Sequence, residues 1–310
     1  ARYAVRLGAH IGIADGFAPA VASAVDIGCE TIQIFSKSPQ MWAGPPLTDE
    51  AAEEFRTSVR AAHLTSTAIH HGYLVNLASP KEVMVKRSRT AFIDELQRAE
   101  KLGVDFLIFH PGAHLGEGPE AGLGRIVESL NVAFAATVGF HVRALLENSS
   151  GQGSALCCSP EELASVLSRL DDPRRAGVAL DMCHLFANGF DLRTPEGYAS
   201  FMDRVESVLG RSKVLAFHLN DAKAPLGSHL DRHENIGKGA IGTSAFAHLL
   251  NDPFWEETPG YLETPLDDDD YHAYAMDLKV LRDLRGPAPA ASKSVRPPRR
   301  AGRAKGSGSG

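Results

Sequence analysis

The chain has 310 residues, 44% of them hydrophobic, and a formal net charge of −6. That length and apolar content suffice for one large core, whereas no apolar run approaches the roughly 20 residues of a membrane span. The first residues lack the apolar stretch of a signal peptide, and the four cysteines show no CxxC spacing, so we expect a cytoplasmic protein without disulfides.

The charge is distributed unevenly between the body of the chain and its last residues. Residues 286–310 contain no acid and six basic residues, which are Lys293, Arg296, Arg299, Arg300, Arg303 and Lys305. The other 285 residues therefore carry −12. The terminal segment is rich in Pro, Ala, Gly and Ser, which predicts a disordered tail. It is interpreted as a solvated tail or, alternatively, as a flexible arm that binds phosphates.

Short apolar runs alternate with longer amphipathic segments along residues 1–285. The predicted strands are Val5–Ala9, Thr31–Phe35, Thr67–His70, Phe106–His110, Ala144–Glu147, Val178–Asp181, Val214–His218 and Tyr261–Glu263. Strands that alternate with helices predict β/α units and a parallel sheet. Eight such units predict a (β/α)8 TIM barrel, an α/β fold formed by one domain. An open doubly wound sheet is the alternative, and the absence of a GxGxxG loop after an early strand disfavours it.

The segments between the strands carry helix signals. Phe92, Leu96 and Leu102 recur at helical spacing within the segment from Ser79 to Leu102, and Gly103 follows as a stop signal. Proline stands at a first helical position in Ser159-Pro160 and Thr194-Pro195. Residues 221–241 are polar and contain glycine, which predicts a long functional loop on the C-terminal face of the barrel.

Nine potential metal ligands occur along the chain, most of them where a strand gives way to a loop. They are His70, His110, Glu147, Asp181, His184, His218, Asp231, His233 and Glu263. The C-terminal strand ends of a β/α barrel converge on one face, where active sites are built. A single histidine at a strand end is usually structural, but the combination predicts a multinuclear hydrolytic metal site. Cys183, between Asp181 and His184, is interpreted as a buried packing thiol.

The ligand types indicate the metal and the substrate class. Imidazole and carboxylate suit Zn²⁺, and Mn²⁺ or Fe²⁺ are alternatives. Nine ligands exceed one tetrahedral site and require two or three ions. Four carboxylates with three divalent ions leave about +2, which favours a phosphodiester substrate hydrolysed without a protein nucleophile. The GQGS segment at 151–154 lacks the strand–turn–helix context of a nucleophilic serine.

These ligands fall in segments that closely resemble endonuclease IV, a family of metal-dependent enzymes that repair abasic sites in DNA. The segments are FHPGAH at 109–114, LLENSSGQGS at 145–154, LDMCHLFANGFDLRT at 180–194, HLNDAKAPLGSHLDRHENIGKG at 218–239 and LET at 262–264. The resemblance extends from about Gly8 to Leu284. It implies a (β/α)8 barrel with three zinc ions.

The resemblance also implies how the ligands divide. The first ion would bind His70, His110 and a bridging Glu147. The second would share Glu147 and add Asp181, His218 and Glu263, and the third would bind His184, Asp231 and His233. Glu147, Asp181 and Glu263 are the expected catalytic carboxylates, around a hydroxide that bridges metal ions. Glu147 is a ligand or a base, and the sequence does not separate these roles.

The implied reaction is hydrolysis of the phosphodiester 5′ to an abasic site, which leaves a 3′-hydroxyl and a 5′-deoxyribose phosphate. Removal of 3′-blocking groups is implied as well. The expected partner is therefore double-stranded DNA with abasic sites or 3′-blocked ends. A cytoplasmic, nucleoid-associated enzyme of a prokaryote is expected, and a monomer is the default state.

Contacts to DNA are expected on the rim loops, where the family flips the abasic nucleotide out of the stack. Tyr73 and Leu74 match one family loop, although the same residues also suit a helix start packed on the barrel. Gln40 and Met41 lie in a second loop, in which Gln40 stands where members often carry Arg. The basic candidates, each equally consistent with a solvated surface charge, are Lys37, Lys223, Arg232 and Lys238. Met182 and Asn188 also depart from the common family pattern.

Three alternatives remain open. His71 competes with His70 as a ligand, although the spacing to Tyr73 and Leu74 favours His70. A metal-dependent sugar isomerase or epimerase would need at most two ions, so the Asp231–His233 pair would have no function there. A non-catalytic protein that binds damaged DNA would not need a shared-carboxylate cluster.

Overall fold

Eight parallel strands close into a barrel in the computed structural model, which describes residues 5–267 and 271–286. The strands of the barrel are β1 (Arg6–Ile11), β2 (Thr31–Ile34), β3 (Ala68–His70), β4 (Phe106–Phe109), β5 (Arg143–Glu147), β6 (Ala176–Asp181), β7 (Val214–His218) and β10 (Pro259–Leu262). Neighbouring strands in the barrel are neighbours in sequence, except that β10 follows β7 and closes onto β1. The predicted (β/α)8 fold is confirmed, and the alternative of an open sheet is wrong.

The helices surround the barrel. They are α1 (Phe17–Asp26), α2 (Asp49–Ala61), α3 (Glu82–Leu102), α4 (Pro119–Ala136), α5 (Pro160–Leu167), α6 (Met182–Ala187), α7 (Pro195–Val208), α8 (Ser244–Leu250) and α9 (His272–Leu284). The predicted boundary signals are confirmed. Ser159 and Thr194 accept backbone N–H groups as caps of α5 and α7, and α3 ends at Gly103 with φ 70°.

Alternation along each strand divides the apolar residues between two cores. Phe106 and Ile108 of β4 point into the barrel with Tyr261, whereas Leu107 and Phe109 belong to the core between strands and helices. Both faces of the strands are buried, which explains why these strands read as continuous apolar runs. The C-terminal ends of the strands are then the positions where polar side chains replace apolar ones.

Three predicted strands end one residue too late. The sequence predicts Phe35, His110 and Glu263 as the last strand residues, but β2 ends at Ile34, β4 at Phe109 and β10 at Leu262. The apolar pattern marks burial, whereas the strand ends where its ladder of hydrogen bonds stops. The predicted loop at 221–241 includes a two-stranded antiparallel ribbon, β8 (Asp221–Ala222) and β9 (His233–Glu234).

All four cysteines are free thiols, in agreement with a protein without disulfides. No helix among the described residues is long and apolar enough to span a membrane. The predicted basic tail lies outside the described residues from residue 287 onwards.

Candidate metal centre

The nine predicted ligands converge at the C-terminal end of the barrel. Six of them belong to or directly follow β3, β4, β5, β6, β7 and β10, in that order: His70, His110, Glu147, Asp181, His218 and Glu263. His184 lies in α6, directly after β6, and the ribbon segment supplies Asp231 and His233. Residues far apart in sequence meet because all parallel strands end on the same face.

Glu147 lies at the middle of this cluster and has no exposed surface. Its Oε2 atom is 3.0 Å from His70 Nε2 and 3.6 Å from His110 Nδ1, and its Oε1 atom is 2.9 Å from His218 Nδ1. The two oxygens therefore face different sets of histidines. This arrangement suits a carboxylate that bridges two cations.

A second group surrounds the Oε1 side of Glu147. Potential ligand atoms of Glu147, Asp181, His218 and Glu263 all lie within 4.8 Å of one another. His218 Nδ1 is 3.7 Å from Asp181 Oδ2 and 3.5 Å from Glu263 Oε2. These four residues are the set that the family resemblance assigns to one ion.

A third group is formed by His184, Asp231 and His233, whose potential ligand atoms are also within 4.8 Å of one another. Asp231 Oδ1 lies 3.2 Å from both His184 Nε2 and His233 Nε2. Neither nitrogen is hydrogen bonded, although both are buried. Two unpartnered imidazole nitrogens that face a carboxylate fit a divalent cation.

The hydrogen bonds on the outer side of the histidine rings also fit metal binding. A ligating histidine normally donates its other ring N–H to an oxygen, which fixes the ring orientation. His70 Nδ1 donates to the carbonyl of His71 (2.8 Å), His184 Nδ1 to that of Asn148 (2.8 Å) and His233 Nδ1 to that of Glu263 (3.0 Å). Their Nε2 atoms are thereby directed into the cluster.

Buried amide side chains hold the carboxylates in place. Asn148 Oδ1 accepts the Asp181 N–H, Asn220 Nδ2 donates to Asp181 Oδ2 (2.8 Å), and Asn220 Oδ1 accepts the Glu263 N–H (2.7 Å). Gln33 donates to Glu263 Oε1 (2.7 Å) and also lies near His10. Asn220 stands in a segment that the sequence singled out, but sequence reasoning missed Gln33 and His10. A polar residue inside the apolar strand TIQI was the available signal for Gln33.

The electrostatics of the cluster favours positive charge. Burial by itself lowers the pKa of His218, but the Glu263 and Glu147 carboxylates outweigh it and raise that pKa to about 9. Burial likewise opposes protonation of His233, whereas Asp231 and Asp181 raise its pKa to about 9. Burial would raise the pKa of Glu263, but His218 and His70 lower it to about 2. Without metal ions, protons bound to the histidine rings thus supply the positive charge that neutralises the buried carboxylates.

The structure favours His70 over His71 as the ligand. The His71 ring is buried outside the cluster and stacks on Phe92 at 5.6 Å, with an interplanar angle of 10°. His70 is one of the residues around Glu147. Cys183 is a buried thiol that donates to the carbonyl of Arg232, although its sulfur also lies within 4.8 Å of ligand atoms of Asp181 and His233.

A cleft of about 410 Å³ opens beside the cluster, and its lining includes His110, His184, Asp231 and Tyr73. Tyr73 is 65% exposed, and its ring centroid lies 6.4 Å from that of His70 and 6.5 Å from that of His110. Tyr73 and Leu74 precede the start of α3 at Glu82, so they occupy a loop rather than the helix start that was the alternative.

The other predicted DNA contacts differ in exposure. Met41, Lys223, Lys238, Gln40 and Arg232 lie at least partly exposed at the surface. Lys37 is predicted on the rim, but its side chain is only 5% exposed and its ammonium group is paired with Asp94 (2.8 Å) and Glu95. The sequence did not reveal this ion pair, because its partners lie more than 50 residues away on α3. Lys37 therefore holds its loop from inside and is not placed to contact a phosphate.

Asp221 organises the segment that carries Asp231 and His233. Its buried carboxylate accepts the N–H groups of Gly237 (2.9 Å), Gly239 (3.0 Å) and Ile241 (3.0 Å). A Cβ atom at Gly239 would lie 2.5 Å from the carbonyl oxygen of Ala222, so only glycine fits there. The long segment is thus closed at its base and presents its ligands over the barrel.

Comparisons with known proteins show which proteins this chain is similar to. The family model described as "Xylose isomerase-like TIM barrel" matches residues 21–284. A protein of Trichlorobacter lovleyi named "Probable endonuclease 4" is 41% identical over 281 residues, which are 90% of this chain and 99% of that protein. A protein of the same name from Chlorobium limicola is 44% identical over 84% of this chain and 90% of its own length.

Solved structures of other proteins are also similar to this chain. The crystal structure of endonuclease IV from Thermus thermophilus matches with a TM-score of 0.78 and 31% identity, over 90% of this chain and 98% of that one. A D-psicose 3-epimerase from Clostridium cellulolyticum matches with a TM-score of 0.69 but only 14% identity, over 90% of this chain and 99% of that one. The latter likeness concerns the fold alone.

Proposed function

Because the chain belongs to the endonuclease IV family, we propose that it hydrolyses the phosphodiester 5′ to abasic sites in duplex DNA, using three divalent metal ions. It is a hydrolase of DNA repair, as its family membership establishes. The products would be a 3′-hydroxyl and a 5′-deoxyribose phosphate, and blocked 3′ ends would be further substrates. Zn²⁺ is the proposed metal, and Mn²⁺ or Fe²⁺ are alternatives at individual sites.

The observation that carries the proposal is the grouping of nine side chains around Glu147 and Asp231. Two of the groups, Glu147 with Asp181, His218 and Glu263, and Asp231 with His184 and His233, contain the residues that the family motifs imply for two of the ions. Glu147 also lies 3.0 Å from His70 and 3.6 Å from His110, which supports a third ion on that side. A sugar isomerase would leave the group formed by His184, Asp231 and His233 without a purpose. A pure binding protein would have no use for a shared carboxylate.

The metal ions would supply Lewis acidity to the phosphate oxygens and a nucleophile from water at neutral pH. The chain's own contribution is to fix the geometry. Asn148 and Asn220 hold Asp181 with its Oδ2 atom toward His218, and main-chain carbonyls aim the rings of His70, His184 and His233 inward. Tyr73 lines the cleft on the side of His70 and His110.

The rim residues at the surface are proposed to bind the DNA. Tyr73, Leu74, Gln40 and Met41 would occupy the gap left by the flipped nucleotide, since they lie on two adjoining loops. Lys223, Arg232 and Lys238 lie on the segment that carries Asp231, and they would contact phosphates.

The testing experiment is cleavage of a duplex with one central tetrahydrofuran abasic analogue, beside an undamaged duplex, with both product ends resolved. This analogue cannot undergo β-elimination, so a cut on its 5′ side with a 3′-hydroxyl product would identify hydrolysis. We expect that product from protein loaded with three metal ions. No cut by fully loaded protein would refute the proposal.

Substitution tests the assignment of ligands in the same assay. We expect Glu263→Ala to abolish cleavage, since it removes one ligand of the group around His218, while circular dichroism shows a folded barrel. Lys213→Ala, on a short turn before β7, is the control and should cleave normally. Near-normal turnover by Glu263→Ala would contradict the assignment.

A further inference from the structure

Gln33 connects three side chains at the seam where the barrel closes. It lies on β2, is fully buried, and its amide contacts His10 of β1, His218 of β7 and Glu263 after β10. The distances are 2.9 Å from Nε2 to His10 Nδ1, 2.7 Å from Nε2 to Glu263 Oε1 and 2.9 Å from Oε1 to His218 Nε2. One side chain therefore contacts two members of the group formed by Glu147, Asp181, His218 and Glu263.

The chemistry of the partners fixes the orientation of this amide. An ionised carboxylate only accepts hydrogen bonds, so the NH₂ group of Gln33 must face Glu263. The carbonyl oxygen of the amide then accepts the N–H of His218 Nε2. His218 Nδ1 is consequently the atom that faces Glu147 Oε1 at 2.9 Å and Glu263 Oε2 at 3.5 Å.

The same amide selects one oxygen of Glu263. Its Oε1 atom is occupied by the Gln33 donor, and its Oε2 atom is the one that faces His218 Nδ1. Without Gln33, the carboxylate could rotate about its last bond and the imidazole could exchange its tautomer. Either change would remove a ligand atom from the group.

His218 differs in this respect from the other histidines with a hydrogen-bonded outer nitrogen. His70, His184 and His233 donate to main-chain carbonyls, which substitution of a side chain does not remove. His218 donates to a side chain. Its orientation thus depends on the identity of the residue at position 33.

We infer that Gln33 is a positioning residue for one metal ion, presenting His218 Nδ1 and Glu263 Oε2 to it. The inference concerns metal affinity and deepens the proposed function, on which it rests for the presence of the ions. Loss of such an outer partner usually lowers metal affinity or activity by about 10- to 100-fold. The effect should be greatest for one of the three ions, because Gln33 contacts two ligands of only one group.

The test is a titration of metal-free protein with Zn²⁺ against a chelator of known affinity, without DNA. Gln33→Met nearly keeps the shape of the side chain and removes all three hydrogen bonds. We expect one of the Zn²⁺ ions to bind about 10- to 100-fold more weakly and the others to bind normally. Gln33→Asn, whose amide is too short to bridge the same partners, should give the same result if the Met variant does not fold.

Thr31→Val is the matched control. Thr31 lies on the same strand, is equally buried and donates to the carbonyl of Ser66, at the opposite end of the strand from the cluster. The Zn²⁺ affinity of this variant should be unchanged. An equal loss in Thr31→Val and Gln33→Met would mean that loosening of the barrel, rather than positioning, causes the effect.

A spectroscopic readout separates positioning from general stability. Co²⁺ substituted for Zn²⁺ gives visible absorption bands that depend on the nitrogen and oxygen atoms around the ion. We expect Gln33→Met to change the bands of one Co²⁺ and Thr31→Val to leave them unchanged. If Gln33→Met binds Zn²⁺ as tightly as the wild-type protein and gives the same Co²⁺ spectra, the inference is overturned. Absence of DNA cleavage by metal-loaded wild-type protein would instead count against the proposed function.

Discussion

At the scale of single residues, the candidate centre is a set of buried carboxylates that require positive charge. Glu147 and Asp181 have no exposed surface, and burying an unpaired carboxylate is costly. Without metal, protons on the surrounding rings fulfil that requirement, as the raised pKa values of His218 and His233 indicate. Metal ions and protons therefore compete for the same side chains.

This competition predicts release of protons on binding of Zn²⁺. At pH 8, below the pKa of about 9 of His218 and His233, we expect these two rings to release roughly two protons when the protein takes up metal. Burial lowers the pKa of His184, but Asp181 and Asp231 raise it well above its usual range, so this ring adds to the release. At about pH 10, above that pKa, the release from these rings should be nearly absent. Calorimetric titrations in two buffers with different heats of ionisation measure the number, and equal release at both pH values would contradict this explanation.

The same pKa shifts make the stability of the metal-free protein depend on pH. A histidine with a raised pKa stabilises the fold fully below its unfolded value near 6.5, and this contribution disappears as the pH rises through about 9. Glu263, with a pKa lowered to about 2, contributes above about pH 4.5 and loses its effect towards pH 2. We expect the melting temperature of metal-free protein to fall between about pH 6.5 and 9, more than that of metal-loaded protein.

At the scale of elements, α3 holds the rim loop between β2 and α2 at four points. Arg87 stacks over Trp42 at 4.2 Å, Asp94 binds Lys37, Arg98 donates to the Pro45 carbonyl (2.9 Å) and Lys101 to that of Leu47 (2.6 Å). Positions 87, 94, 98 and 101 lie on one helical face. The loop with Gln40 and Met41 is thus ordered before any DNA arrives.

The rim loop that contains Tyr73 and Leu74 is hydrogen bonded to the loop that contains Gln40 and Met41. Tyr73 N–H donates to the carbonyl of Pro39 (3.3 Å), and a Cβ atom at Gly72 would lie 2.7 Å from that oxygen. A larger residue at position 72 would therefore separate the loops. Pre-ordering reduces the entropy that binding must offset, which is how α3 would contribute to DNA affinity.

Arg98→Met tests this role of α3. We expect about tenfold weaker binding of abasic duplex and faster hydrogen exchange in residues 36–48, with normal Zn²⁺ content. The matched control is Arg89→Met, since Arg89 lies on the same helix but bonds Ser129 Oγ at 2.9 Å and Glu128 at 3.0 Å, away from the loop. Equal effects of the two substitutions on DNA binding would refute a specific role for Arg98.

At the scale of the whole molecule, the candidate centre connects six of the eight barrel strands. Its ligands belong to or follow β3, β4, β5, β6, β7 and β10, and Gln33 adds β2. Ions bound there would cross-link elements that are distant in sequence. Metal binding should therefore stabilise the entire barrel and not only its rim.

Removal of the metal should lower the stability of the whole chain. We expect strong chelation to reduce the melting temperature by roughly 10 °C near pH 8 and to abolish cleavage, with both restored by Zn²⁺. Differential scanning calorimetry measures the shift. Unchanged melting and activity in fully demetallated protein would refute a metal-dependent mechanism.

The basic tail gives a prediction from sequence alone, because residues 287–310 are not described by the structure. Deleting residues 286–310 removes six positive charges from a body that carries −12. If the tail binds phosphates, the deletion should weaken DNA binding mainly at low salt, and each lost contact should reduce the salt slope by about 0.9. An identical slope after deletion would show that the tail does not bind DNA.

The sequence by itself determined the barrel and the identity of the candidate ligands. Apolar runs that end in His or a carboxylate suffice for this, because strand order and direction follow from alternating β/α units, and parallel strands must end on one face. Family motifs then supplied the grouping of the ligands. The barrel and its candidate ligands can be predicted because they depend on short, local sequence patterns.

Only the tertiary structure decided which polar groups meet across the barrel. The sequence predicts Lys37 as an exposed cation on the rim, but its side chain is buried and forms ion pairs with Asp94 and Glu95. In the sequence, Gln33 is a single polar residue in an apolar strand. Closure of the barrel places it within hydrogen-bonding distance of His218, 185 residues away, and of Glu263. Such contacts follow from the pairing of β1 with β10, and no local pattern encodes a distance between residues that only closure brings together.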